Sequence, residues 1–154
     1  MLDEESRQRL ERAYREYGAD VWRAVYAYSG RRRDVADEAV AEAFAQAGRG
    51  VARIRDLRPW IFRAAFRIAA GELKRPAEWP EMGLAQPSED GMTDLLDLVR
   101  VLTNAQRRAL VLRDVLGFSG REAAVLMGSS EVAVRVHLHA ARKRLRGLVE
   151  EAET

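Results

Sequence analysis

The stretch SGREAAVLMGSSEVAVRVHL, residues 119–138, decides the fold. It has the layout of a helix-turn-helix: a short helix with small residues, a glycine turn, then a longer helix. Ser119 and Glu122 stand three apart, as a capping box requires. Ala123 and Ala124 let two helices cross closely, and Gly128 supplies the backbone freedom of the turn. After Ser129-Ser130, a last helix is predicted from Glu131 to about Val149.

Placed at about 100° per residue, that helix has two stripes. Val134, Leu138, Ala141, Leu145 and Leu148 form a buried one, and Arg135, His139, Arg142 and Arg146 a basic one, with Lys143 just beyond. A basic ridge beside a buried face suits the major groove, where N-terminal residues read base edges and later ones hold phosphates. Arg135 is the candidate guanine reader; Arg142, Lys143 and Arg146 are candidate phosphate ligands. A merely solvated face is the competing reading for any one of these cations. His137 and His139 point about 200° apart on a helix, so they do not share a metal. One is expected to face DNA and the other to pack.

Upstream, Thr103-Asn104-Ala105-Gln106 is a second capping box, opening a helix that ends at Gly117, a position suited to a left-handed cap. Met92–Leu102 is predicted as a short amphipathic helix. Before it, residues 76–91 hold Pro76, Pro80, Pro87, Gly83 and Gly91 in an acidic context, the composition of a flexible linker.

The N-terminal block, residues 1–75, also has helical spacing. Leu10, Tyr14, Tyr17, Val21, Val25 and Tyr28 make one stripe; Ala36, Ala39, Val40, Ala43, Phe44 and Ala47 make a second. Asp34 is the expected N-cap between them. Gly48–Arg58 is a basic loop, and Pro59 is expected to open a third helix with Trp60, Ile61, Ala64, Ala65, Ile68 and Leu73 on its core side. The expected architecture is therefore all-α: a helical domain 1–75, a linker 76–91 and a helix-turn-helix domain 92–154.

Charge follows the same division. The net +2 separates into +4 over residues 1–75, −6 over 76–98 and +4 over 99–154. Two basic blocks around an acidic strip point to two modules facing a polyanion and a connector that does not. The chain has no cysteine, hence no disulfide framework and no thiolate chemistry. No Gly-rich phosphate loop and no acid/base pair stand out, so an enzyme is not expected, nor any metal or cofactor. The acidic start, Met1-Leu2-Asp3-Glu4-Glu5, is unlike a signal peptide, and no apolar run approaches a membrane span. A cytoplasmic protein without a membrane partner is the expectation.

With both blocks in view, the chain resembles a bacterial RNA polymerase sigma factor of the extracytoplasmic-function (ECF) group over about residues 8–149. The C-terminal residues that carry the resemblance are Leu102-Thr103, Gln106-Arg107, Gly117-Phe118-Ser119, Glu122-Ala123-Ala124, Gly128 and Ala133-Val134-Arg135 through Arg142. The N-terminal ones are Ala36-Asp37-Glu38-Ala39-Val40-Ala41-Glu42-Ala43-Phe44 and Trp60-Ile61-Phe62-Arg63-Ala64-Ala65-Phe66-Arg67.

The resemblance implies a transcription factor that binds core RNA polymerase and directs promoter-specific initiation. Asp37, Glu38 and Glu42 would dock on the polymerase clamp helices. Arg53, Arg55, Arg63 and Arg67 would contact the −10 element, while Ser130, Arg135, His137, His139, Arg142, Lys143 and Arg146 would read the −35 element. Trp60 is expected in the core rather than as a stacking platform. The implied partners are core RNA polymerase and promoter DNA, with an anti-sigma factor as a further candidate. Several positions depart from the family pattern: Ala41 replaces Gln, Arg67 replaces Asn, and Thr103 replaces Pro. In the recognition helix Val136, His137 and Ala140 stand where the family has Ser, Arg and Arg. These departures predict an altered promoter sequence or weaker melting. The alternative reading is a divergent sigma-like helix-turn-helix regulator that binds DNA without supporting initiation alone.

Overall fold

The computed structural model describes residues 2–74 and 99–153, and all regular structure among them is helical. Helix α1 spans Glu4–Tyr28, α2 Arg33–Gly48 and α3 Leu57–Lys74; α4 spans Asn104–Leu110, α5 Gly120–Met127 and α6 Glu131–Glu153. The predicted linker 76–91 and the 92–98 part of the predicted helix Met92–Leu102 lie outside the described residues. The remainder of that predicted helix begins with a 3-10 turn over Val99–Val101 rather than α-helix.

Helices α1, α2 and α3 pack on one another because their apolar stripes coincide. Val21, Val25 and Tyr28 of α1 meet Ala36, Ala39, Ala43 and Ala47 of α2 and Ile61, Ala65 and Ala69 of α3, all buried. Phe62 and Phe66 are buried as well, a wider core face than the predicted stripe. Trp60 is half-buried and packs on this core. Tyr14, expected within the stripe, is 62% exposed, with its ring edge-on to Phe44 at 5.2 Å.

Asp34 is not the N-cap of α2. Arg32 occupies that position, and Asp34 sits inside the first turn, where its carboxylate meets the N-terminal end of the helix dipole. The Arg32 guanidinium donates to it at 2.7 and 3.3 Å and holds the acid below the usual aspartate range. The turn before it runs through left-handed backbone at Gly30 (φ +71°) and Arg31 (φ +70°), where the Arg31 N–H reaches back to the Tyr26 carbonyl at 2.8 Å.

The basic loop is shorter than predicted. Helix α2 continues through Gly48, and α3 starts at Leu57, placing Pro59 within its first turn. Between them Val51–Arg53 form a 3-10 turn whose Val51 is buried. Arg9 of α1 pins this loop by donating to the carbonyls of Val51 and Ile54, both at 3.1 Å.

In the second half both capping boxes form. The Thr103 hydroxyl accepts from the Gln106 N–H at 3.2 Å while the Gln106 amide oxygen accepts from the Thr103 N–H at 3.1 Å. Ser119 and Glu122 repeat the exchange at 3.1 and 3.2 Å, and these hydrogen bonds hold the Glu122 carboxyl below its ordinary range. After α4 the chain loosens into a π-turn over Val111–Val115, with Leu116 N–H bonded to the Val111 carbonyl at 3.0 Å, before Gly117 reverses it at φ +77°. Gly128 takes the left-handed conformation after α5 (φ +66°), and the Ser129 N–H closes the turn on the Ala124 carbonyl at 2.8 Å.

The two halves share a seam, and their buried side chains form one contiguous cluster. The Phe62 and Phe118 rings meet edge-on at 6.0 Å, and the Arg58 guanidinium lies 4.9 Å over Phe118. At the other end of the seam the Tyr28 hydroxyl donates to the Asn104 amide oxygen at 2.8 Å. Arg107 donates to the carbonyls of Val99, Arg100 and Tyr28, while Arg108 lies over the Phe66 and Tyr28 rings.

Candidate nucleic-acid interface

Helix α6 is positioned by α4 and α5, against which it lays Val134, Leu138, Ala141 and Leu145, all buried. The opposite face is exposed. Arg135, His139, Arg142, Lys143 and Arg146 are exposed, and His137 is half-buried at the edge of the packed side. Among the described residues no group of His, Cys, Asp or Glu is arranged to hold a metal ion.

Ser130 caps α6: its hydroxyl oxygen accepts from the Ala133 N–H and its carbonyl from the Val134 N–H, both at 3.0 Å. The hydroxyl proton stays available to a phosphate at the positive end of the helix. Arg135, His139, Lys143 and Arg146 have no side-chain hydrogen bond or ion pair with the described residues. Arg142 differs. It forms a two-pronged pair with Asp114 at 2.6 and 3.0 Å, tying α6 to the π-turn and raising the affinity of the guanidinium for its proton.

In the first half, the candidate −10 residues separate. Arg53 and Arg55 are exposed on either side of the buried Ile54. Arg67 extends over α2, its Nη2 at 3.4 Å from the Gln46 amide oxygen. Gln46 in turn donates to Glu42 at 3.1 Å, and Arg49 lies 3.7 Å from the same carboxylate. Glu42 thus belongs to an exposed chain of polar contacts that reaches Arg67. Arg63 is directed into the seam: its Nη2 donates to the Val125 carbonyl at 2.8 Å, and its guanidinium lies against Gly128, where a Cβ would come within 3.1 Å of it.

The acidic face of α2 is exposed at Asp37 and Glu38. Asp37 accepts from the Trp22 indole N–H at 2.8 Å, and Trp22 stacks on Tyr26 at 4.9 Å. Sequence reasoning missed Trp22. Its signal was a half-apolar ring one position past Val21, off the core stripe and with an N–H that needs an acceptor. Also missed were the contacts of Arg58 with Phe118, Arg107 with Tyr28 and Phe118 with Phe62 across the seam, which have no period in the sequence.

Residues 92–145 match the family model of sigma-70, region 4. This part of the chain is similar to a sigma-70 region 4 domain. It contains both capping boxes, both left-handed glycines and the basic face of α6. Among curated proteins, the ECF RNA polymerase sigma factor SigD of Mycobacterium tuberculosis and of Mycobacterium bovis is 42% identical to this chain over 57 residues. That stretch covers 37% of this chain and 27% of each relative.

Two solved structures share the fold over nearly the whole chain. CnrH, in complex with the cytosolic domain of CnrY, superposes with a TM-score of 0.70 at 21% identity, covering 94% of this chain and 90% of its own. The sigma factor RpoE, in complex with the anti-sigma factor NepR from Bartonella quintana, gives 0.67 at 18% identity, covering 96% and 98%. The resemblance to ECF sigma factors read from the sequence is borne out, as is the all-α fold. No helix among the described residues is long and apolar enough to cross a membrane.

Proposed function

We propose that this protein is a sigma factor of the ECF type, which binds bacterial core RNA polymerase and selects promoters by reading a −10 and a −35 element. The observation that carries this reading is the exposed basic face of α6 in a segment that matches sigma-70 region 4, joined to a first half that completes the fold of a known sigma factor. On this reading residues 1–75 engage polymerase and the −10 element, 76–91 connect, and 92–154 read the −35 element. Arg135 contacts a base edge; Ser130, His139, Arg142, Lys143 and Arg146 hold the backbone, with His137 at the rim. Asp37, Glu38 and Glu42 face the polymerase, and Arg53, Arg55, Arg63 and Arg67 the −10 strand, where exposed guanidiniums suit single-stranded DNA. The protein acts in the cytoplasm as a binding factor rather than an enzyme. CnrH and RpoE are each described with a bound partner, which supports an anti-sigma protein as a regulator here.

The test is association with core polymerase. Asp37→Lys with Glu38→Lys should reduce co-purification at least tenfold while helical content is kept. Unchanged association would remove these acids from the interface.

One observation favours a second reading, a sigma-like regulator that binds duplex DNA without initiating alone. Arg63, a candidate −10 contact, is occupied by the Val125 carbonyl. Tight, site-specific binding of the chain to duplex DNA without polymerase would support that reading.

A further inference from the structure

The outward face of α6 carries two groups that a phosphate-binding ridge does not need. Val132 and Val136 are 62% and 60% exposed, one turn apart in the first two turns of the helix. At about 100° per residue, Arg135, His139, Val132 and Val136 follow one another around an arc of about 100°, on the side away from buried Val134 and Leu138. Valine is a weaker helix former than alanine, so helix stability alone does not call for either side chain in water.

The surroundings identify what covers them. The apolar pair is continuous with Arg135 and His139, and further along the same helix with Lys143 and Arg146, all exposed. A face of that charge fits a polyanion, and in a helix-turn-helix the N-terminal turns of the second helix meet base edges. In the major groove the apolar feature of a base edge is the C5-methyl group of thymine. A serine at position 136 would hydrogen-bond to any base edge, whereas a valine offers apolar contact alone. We infer that Val132 and Val136 read thymine methyl groups in the duplex held by α6, beside the guanine contacted by Arg135. The inference rests on α6 being the duplex reader and adds what it reads.

The test uses the full chain with core RNA polymerase. Duplexes are selected from a randomised pool, and each thymine in the half of the site contacted by α6 is then replaced singly by deoxyuridine, which removes only the methyl group. One or two replacements should weaken binding about fourfold, the equivalent of roughly 0.8 kcal/mol for one buried methyl. Val132→Ala or Val136→Ala should weaken binding to the intact duplex by a similar factor and make it indifferent to the matching replacement. Both positions are exposed, so the variants should fold, which circular dichroism checks. Replacements that do nothing, or that act equally in the valine variants, overturn the inference and leave DNA reading by α6 intact. Valine variants whose binding to every duplex is unchanged, as a protein-docking role for the pair would give, overturn it too. A selection that yields no duplex, with or without polymerase, overturns the DNA-reading function itself and the inference with it.

Discussion

The Arg63 guanidinium of α3 donates to the Val125 carbonyl of α5 at 2.8 Å and lies against the Gly128 turn. A residue that the sequence assigns to the proposed −10 contacts therefore braces the helix-turn-helix. Arg63 does not serve the seam and an unstacked base at once. The basic face of α6 stays exposed while Arg63, a proposed −10 contact, is engaged.

This seam should open when its aromatic centre is removed. Phe118→Ala deletes the edge-on contact with Phe62 and the ring beneath Arg58. With fluorophores on α2 and α6, energy transfer should fall in the variant while each half keeps its helicity. Transfer equal to that of the parent protein would show that Phe118 does not hold the halves together.

Arg135 and Arg142 should separate in their salt dependence. Arg135→Ala should cost about 1–3 kcal/mol and relax specificity at one base pair. Arg142→Ala should weaken all duplexes alike and lower the salt slope by about one unit. Its pair with Asp114 is half exposed, so loss of that pair should cost only about 0–1 kcal/mol of folding stability. An unchanged salt slope with lower stability would make Arg142 a brace and not a phosphate ligand.

The Ser119 box starts α5 and so sets the helix-turn-helix geometry. Ser119→Ala should cost about 1 kcal/mol, read by denaturant unfolding. Glu122 titrates below its ordinary range because it accepts from the Ser119 N–H. Its contribution is complete above the free glutamate value, near pH 4.3, and fades as pH falls through the lowered value. Glu122→Gln, which can still accept from the Ser119 N–H but does not titrate, should therefore shrink the stability lost between about pH 5 and pH 3; an equal loss in both proteins would exclude Glu122 as its source.

At the alkaline end, burial and the nearby Asp56 and Glu16 push the Tyr17 phenol up to about 12. The neutral phenol is favoured in the folded state, so its contribution is intact below about pH 10 and is lost as pH rises from 10 to 12. Tyr17→Phe should flatten that part of the stability curve. A variant that declines as steeply as the parent would place the alkaline sensitivity elsewhere.

The second half was more legible in the sequence than the first. Ser119, Glu122, Thr103 and Gln106 signal through local spacing, and each cap forms as read. Gly117 and Gly128 likewise sit where the chain needs positive φ. Local spacing failed at the start of α2, where Arg32 stands at the N-cap position with no side-chain capping bond and Asp34 lies in the first turn, paired with the Arg32 guanidinium. The same limit applies to the candidate site. The two faces of α6 were readable from its period, but the Asp114–Arg142 and Arg63–Val125 contacts join residues 28 and 62 positions apart. No helical period encodes such contacts.

The most direct test of promoter selection is transcription in vitro from a library of randomised promoters, using core RNA polymerase with and without the full chain. A sigma factor of this design should yield transcripts that require the chain and share two spaced elements upstream of their start sites. Arg135→Ala should relax the upstream element alone. Transcripts whose abundance and start sites do not change when the chain is added would contradict a role in promoter selection.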